Sequence, residues 1–247
     1  MKSKRIVAII QAHMSSSRLP GKILLDMAGA PILYRVVECA RSCTLIDEVV
    51  VATSTLPCDD IICEKCAAWG VPTVRGSDSD VLSRYEIAVN AFPADVYVRL
   101  TSDDPLLCAA LMDNALSFFL SHDYRYVAID EETLPLGLGC EIFSAELFRE
   151  AVANSTEAYE HEHVTPYMYT RQPSMYRLSG GGIGSQYRLT VDTPEDYEVL
   201  KAVFTALYAP NKPFVLQEVA DWLQAHPEIA AINRNIRQKH FTETKSE

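Results

Sequence analysis

The chain has 247 residues, 48% of them hydrophobic and 22% charged, and a formal net charge of −11. That length sustains a sizeable core in one large domain or two small ones. The acidic balance argues against a general nucleic-acid binder, which needs a cationic face, and no apolar run approaches the roughly 18 residues of a membrane span.

The N-terminus, Met1 to Arg5, is basic, but the apolar run after it covers only Ile6 to Ile10 and enters a polar loop, which does not fit a signal peptide. Apolar runs predict strands at 5–11, 48–53, 73–75, 96–100 and 124–129. Helical periodicity lies between them. Ile32, Leu33, Val36, Val37 and Ala40 mark one face of a first helix. Further helices are expected at 58–69, closed by Gly70, at 79–91 and at 107–120. Continuous apolar strands alternating with helices imply a parallel sheet covered on both faces.

The pattern changes after residue 130. Pro135, Gly137 and Gly139 punctuate a loop before a strand at 140–143 and a helix at 144–154. Gly180, Gly181, Gly182 and Gly184 form a turn before a strand at 187–191, and they lack the strand–glycine–helix context of a dinucleotide site. Thr193, Pro194 and Asp196 spell a helix start, and a last helix is expected at 215–224. No repeat or linker divides the chain. The reading is one domain over 1–232, with a lobe at about 130–186 and a polar tail over 233–247.

The seven cysteines are odd in number and sit mostly in helical patterns, which suits free thiols in a reducing cytoplasm. Cys63-Glu-Lys-Cys66 raises zinc or redox chemistry as an alternative, but a four-cysteine set needs a second close pair, and Cys39 and Cys43 have helical spacing. His161 and His163, beside Glu160 and Glu162, raise a metal site in the same way. On a helix, side chains two residues apart diverge, so polar surface or ligand contact fits them better.

Three stretches carry chemistry. Residues 9–22 run from a strand into a loop with Ser15, Ser16, Ser17, Arg18 and Lys22. A triphosphate needs fixed donors and cations. The backbone N–H groups from Ala12 to Ser17, the serine hydroxyls and the two cations supply them, with Leu19-Pro20-Gly21 turning the chain to present Lys22. The P-loop pattern is absent, and an ordinary solvated loop with two cations reads alike. Residues 98–105 end a strand in Asp103 and Asp104, at the edge where parallel sheets bind ligands. Asp103 suits Mg²⁺, or one of the pair caps the next helix. Residues 189–196 end a strand in Asp192. Thr193 already caps the helix, so Asp192 either joins Asp103 on one ion or favours the helix dipole.

Together these stretches resemble the cytidylyltransferase family that activates acidic sugars, and most closely its branch named for a spore-coat polysaccharide biosynthesis protein. The matching segments are 9–22, 75–85, 98–105, 162–167 and 188–196, in family order. The resemblance implies an α/β fold of the nucleotide-diphospho-sugar transferase type, with three layers, a mixed and mostly parallel sheet, and a small second lobe. It implies transfer of CMP from CTP to an acidic sugar, with release of pyrophosphate, for surface polysaccharide or glycan synthesis. CTP would contact Gln11, Ala12, His13, Ser17, Arg18 and Lys22, with Arg75, Asp80 and Arg84 near the cytosine and ribose. Mg²⁺ would bind Asp103 and Asp192. The sugar would lie near Thr101, Glu141 and His163. Arg18, Lys22 and Asp103 would carry catalysis, and no side chain stands out as a dedicated base, Asp104 being the nearest carboxylate. A homodimer through the segment after 130, acting in the cytoplasm without nucleic acid or membrane, is also implied. The family usually has Arg where this chain has His13, and Gly where it has Ser15. Three readings follow: a sugar cytidylyltransferase, a nucleotidyltransferase using another base or a sugar 1-phosphate, and a weakened protein that binds CTP without turnover.

Overall fold

The computed structural model describes residues 4–129, 132–171, 175–176, 182–210 and 212–238. The strands are β1 (Ile6–Gln11), β2 (Asp26–Met27), β3 (Ala30–Pro31), β4 (Glu48–Ser54), β5 (Thr73–Gly76), β6 (Val96–Thr101), β7 (Tyr126–Ile129), β8 (Glu141–Ser144) and β9 (Met175–Tyr176). The helices are α1 (Ile32–Ser42), α2 (Asp60–Ala68), α3 (Val81–Ala91), α4 (Ala109–Ser121), α5 (Ala145–Asn154), α6 (Ala158–His163), α7 (Pro166–Arg171), α8 (Pro194–Leu207), α9 (Leu216–Ala225) and α10 (Pro227–Ala230). All but β2 and β3 join one sheet in the order β5-β4-β1-β6-β8-β7-β9. It is parallel except for β8, which runs against both neighbours. Strands β2 and β3 make a separate small hairpin.

The period of two along β1 explains the three layers. Ile6, Ala8 and Ile10 enter a core shared with α1, α4, α8 and α9. Val7 and Ile9 face the opposite side and pack with Leu82, Tyr85 and Ala88 of α3 and with Phe148 of α5. Both faces of the strand are dry, as its unbroken apolar run requires. After β1 the chain adds β4 and β5 on one side, then crosses to β6 on the other. The order therefore reverses between β1 and β6, where open α/β sheets bind their ligands.

The alternation up to residue 129 matches the periodicity, with boundaries shifted by a few residues. The helix expected from 107 begins at Ala109, so neither Asp103 nor Asp104 is its N-cap; that position is Cys108. The strand expected at 187–191 does not form. The segment makes only a bridge between Leu136 and Arg188, because its backbone pairs with loops: Leu189 N–H reaches the Leu136 carbonyl at 2.7 Å and Val191 N–H the Asp103 carbonyl at 2.9 Å. Gly137 passes so closely over this segment that a Cβ would lie 2.7 Å from the Leu189 backbone, and its φ of +98° is one that glycine tolerates. Thr193 does cap α8 with Asp196 reaching back, a reciprocal pair.

The body runs beyond 232. Asn233 is 3% exposed, and its side-chain N–H groups reach the Arg188 carbonyl at 3.0 Å and Asp196 at 2.9 Å. The polarity read as tail is here the polarity of a buried hydrogen-bonding residue. Residues 239–247, and Gly180 and Gly181 of the glycine cluster, lie outside the described residues. All seven cysteines are free thiols. Burial pushes the Cys66 thiol up to about 12, away from a reactive thiolate.

Candidate active site

The site grows from the ends of β1 and β6. Their register pairs Gln11 with Thr101, so the loop 12–22 and the segment 102–105 leave the sheet side by side. Leu19-Pro20-Gly21-Lys22 is a β-turn closed by the Lys22 N–H on the Leu19 carbonyl at 3.2 Å. Pro20 occupies its second position and Gly21 its third, with φ 70° and ψ 10°, the requirement of a type II turn. The Gly21 N–H also reaches the Met14 carbonyl at 3.0 Å, which shuts the loop.

This turn aims Lys22 inward. Its Nζ donates to Asp103 Oδ2 at 2.6 Å and to Asp192 Oδ1 at 2.9 Å. Two carboxylates remote in sequence thus share one buried ammonium. Burial alone lowers the Lys22 pKa, but the Asp103 and Asp192 charges more than reverse it and hold it above its ordinary value. Asp192 Oδ2 meets Arg18 at 2.8 Å and Arg188 at 2.6 Å. Burial alone would raise the Asp192 pKa. Lys22, then Arg18 and Arg188, outweigh it and keep the group below its ordinary value.

Arg188 was not singled out by the sequence. Its Nε meets Asp196 at 2.8 Å and its Nη1 meets Gln238 at 2.6 Å, so it ties Asp192, the α8 cap and the end of the described chain together. The one signal was its spacing four residues before Asp192.

Of the loop donors expected for phosphate, two are spent inside the protein. Ala12 N–H reaches the Ala52 carbonyl at 3.0 Å, and Met14 N–H reaches Asp59 Oδ1 at 2.7 Å. Asp59 is fully buried and also accepts from Ser54 at 2.5 Å. No pattern in the sequence signals that support. Ser17 is exposed. His13 is half-buried with Nδ1 3.0 Å from Ser15 Oγ. Burial, then the charges of Lys22 and Arg84, lower its pKa below the ordinary histidine value against the pull of Asp78 and Asp59.

Arg84 departs most from ordinary packing. It is 2% exposed, and its Nε and Nη1 have no hydrogen-bond partner. Gly76 lets α3 approach β5 closely there; a Cβ would meet Arg84 Cα at 3.1 Å. A buried guanidinium with unmade hydrogen bonds carries a large desolvation penalty, which an acceptor from outside the chain would offset.

Other expected residues are already committed. Arg75 donates to the Ser54 carbonyl at 2.8 Å and the Leu56 carbonyl at 3.0 Å, and pairs with Asp60 at 2.6 Å. Asp80 caps α3 by accepting from Ser83 N–H at 2.9 Å and lies 3.1 Å from His161 Nδ1. Both side chains are engaged with neighbouring groups of the protein. Gln11 accepts from Arg99 at 3.0 Å, and Arg99 pairs with Glu141. Glu141 also accepts from the Tyr126 hydroxyl at 2.7 Å and from Thr165 at 2.6 Å. Thr101 donates to Asp104 at 2.7 Å. His163 ends α6, and its carbonyl accepts from Thr165 N–H at 2.8 Å.

No group of three or more His, Cys, Asp and Glu among the described residues is arranged to hold a metal ion. The Asp103–Asp192 pair nonetheless suits a hard divalent cation. Both donors are carboxylate oxygens, both already point at one positive charge, and Mg²⁺ is commonly held by one or two carboxylates plus phosphate oxygens.

Known proteins resemble this chain along most of its length. The family model described as "Cytidylyltransferase" matches residues 7–222. The spore coat polysaccharide biosynthesis protein SpsF of Bacillus subtilis is 34% identical over 238 residues, covering 91% of this chain and 96% of that protein. The 3-deoxy-manno-octulosonate cytidylyltransferase of Bdellovibrio bacteriovorus is 29% identical over 185 residues, 73% of this chain and 68% of that enzyme. A cytidylyltransferase structure from Leptospira borgpetersenii superposes with a TM-score of 0.85 at 30% identity, covering 96% of this chain and all of that one. The chain has the nucleotide-diphospho-sugar transferase fold and belongs to the cytidylyltransferase family.

Proposed function

We propose that this protein transfers CMP from CTP to an acidic sugar of the ulosonic type, releasing pyrophosphate, for the synthesis of a surface polysaccharide or glycan. The observation that carries the reading is the meeting of Arg18, Lys22, Asp103 and Asp192 at the β1–β6 switch point. The Bdellovibrio relative, named for an acidic sugar, and the Bacillus relative, named for polysaccharide biosynthesis, support the acceptor class and the pathway type.

The sugar's anomeric hydroxyl attacks the α-phosphorus of CTP in line and pyrophosphate leaves. Arg18 and Lys22 bind the triphosphate and offset the charge that builds on the transferred and departing phosphates. Asp103 and Asp192 would hold Mg²⁺, which would supply Lewis acidity toward the attacking hydroxyl and offset phosphate charge. Arg84 and His13 face the nucleotide from the α3 side; the unmade hydrogen bonds of Arg84 support this placement. Thr101 and His163 line the acceptor side. Glu141 holds Arg99, Tyr126 and Thr165 and so shapes that side rather than offering a free carboxylate. Positioning and charge neutralisation supply most of the rate. The active form is a homodimer through the segment after 130, which sedimentation velocity will test.

Pyrophosphate release with CTP, Mg²⁺ and a panel of acidic sugars tests the reaction. Release with one such sugar and CTP alone is the expected result. Release with UTP or GTP, or with a sugar 1-phosphate, overturns it in favour of another nucleotidyltransferase. CTP binding without release from any acceptor overturns it in favour of a nucleotide-binding protein.

A further inference from the structure

Both metal-facing carboxylates are occupied by the cations assigned to the phosphates. Lys22 holds one oxygen of Asp103 and one of Asp192, and Arg18 holds the other oxygen of Asp192. A divalent ion placed between these carboxylates would meet the Lys22 ammonium head on, and like charges at such range repel strongly. Lys22 and a metal therefore compete for the same two oxygens.

The three cations around Asp192 are not equivalent. Arg188 is 8% exposed and anchored by Asp196 and Gln238 as well as by Asp192. Arg18 sits on the loop with 28% of its side chain exposed, and among the described residues Asp192 is its ion-pair partner. Lys22 follows a turn whose geometry fixes its backbone but leaves a flexible four-carbon stem. A triphosphate brings several negative charges into the adjacent loop. It is a stronger counter-ion for Arg18 and Lys22 than two carboxylates already shared, whereas Arg188 keeps its other partners and continues to orient Asp192.

We propose that Lys22 and Arg18 keep the Asp103–Asp192 pair closed to divalent cations until a nucleoside triphosphate draws them away, so that nucleotide binds before the metal or together with it. This rests on the reading of Asp103 and Asp192 as metal ligands. Lys22 then has two successive partners: the carboxylates in the resting protein and the phosphates in the loaded one. The resting protein carries no tightly held metal.

Mn²⁺ titration of the full chain, followed by the electron paramagnetic resonance of the free ion, tests this without turnover. The wild type should bind Mn²⁺ weakly without nucleotide. Lys22→Met keeps the apolar stem and removes the charge, and should bind Mn²⁺ about ten-fold tighter or more; adding Asp103→Asn should cancel that gain. With CTP present, water-proton relaxation separates protein-bound Mn²⁺ from Mn²⁺ on free CTP, and wild type should then bind. The proposal is overturned if wild type binds Mn²⁺ equally well with and without CTP. It is also overturned if Lys22→Met shows no gain while Asp103→Asn still weakens binding in the CTP complex, an outcome that leaves the ligand reading standing. If Asp103→Asn and Asp192→Asn leave Mn²⁺ binding with CTP unchanged, the ligand reading falls first and the proposal with it. Should Lys22→Met not fold, Arg18→Gln must show a smaller gain in Mn²⁺ affinity, and the wild-type melting temperature must rise with Mn²⁺ plus CTP but not with Mn²⁺ alone.

Discussion

The backbone N–H of Val191 donates to the carbonyl of Asp103 at 2.9 Å. This one bond sets the residue before Asp192 against the end of β6 and delivers two carboxylates to the same ammonium. On the other side, Arg188 and Asn233 hold Asp192 and Asp196 from beneath. The pair is therefore fixed by backbone and by buried ion pairs, and it does not depend on a ligand for its placement.

The two aspartates should respond differently to neutralisation. Asp103→Asn removes one ion pair from a side chain that is 22% exposed, so activity should be lost with a small change in stability. Asp192→Asn leaves Lys22, Arg18 and Arg188 short of a buried partner and should cost about 3–5 kcal/mol as well as activity. The pH dependence has a definite sign. The depressed Asp192 pKa stabilises above the ordinary carboxylate value and is lost as pH falls through its folded value. The raised Lys22 pKa stabilises below the ordinary lysine value and is lost as pH rises through its folded value. The cluster thus contributes fully between about pH 4 and about pH 10. Urea unfolding of wild type and Asp192→Asn should show the largest gap in that window and a narrowing gap on the acid side.

Arg84→Met should separate stability from binding. The substitution removes a buried charge whose Nε and Nη1 are unpaired, so the melting temperature should hold or rise. CTP affinity should fall by the value of a charged hydrogen bond, about 1.5–3 kcal/mol, or roughly ten- to a hundred-fold. Calorimetric titration with CTP and a thermal melt check both halves; a lower melting temperature with unchanged affinity contradicts the assignment.

His13 should make CTP binding depend on pH. Burial and the charges of Lys22 and Arg84 hold its pKa below the ordinary histidine value in the free protein, which favours the neutral imidazole. A triphosphate beside it favours the imidazolium, and binding then takes up a proton. CTP affinity should increase from pH 8 to pH 6, by up to about ten-fold for each pKa unit the ligand adds. His13→Arg carries a permanent charge, and its profile should be flatter over the same range. Identical profiles for the two proteins contradict the idea.

Glu141→Ala should destabilise more than its partial exposure suggests. The carboxylate balances Arg99 and accepts from Tyr126 and Thr165. Removing one member of such a pair costs about 3–5 kcal/mol, and Gln11 should shift because Arg99 holds it. A chemical denaturation curve measures the first effect. A rise in KM for the sugar larger than that for CTP would place the network on the acceptor side.

The layered architecture was legible because it is written locally. The apolar run of β1, the helical spacing of α1 and the reciprocal Thr193–Asp196 cap are short-range patterns, and local propensity agrees with the global fold at each. The motif order also disclosed the family, and the resemblance picked out Arg18, Lys22, Asp103 and Asp192, which the fold brings into contact. The segment 187–191 was misread as a strand for the same reason: its apolar alternation is local, but its hydrogen-bond partners are loops at 103 and 136 that only the folded chain supplies.

What tertiary structure alone decided is where charge goes when it is buried. Periodicity cannot show that Asp59 is spent on the loop backbone, that Arg75 pairs with Asp60 or that Asp80 caps α3. Nor can it show that Arg188 anchors Asp192, or that Arg84 is enclosed with bonds unmade. Each of these depends on which distant group lies within hydrogen-bond reach, and on how much water the packing excludes. Local sequence sets the propensity of a residue, whereas its electrostatic role is set by neighbours that the fold brings from elsewhere in the chain.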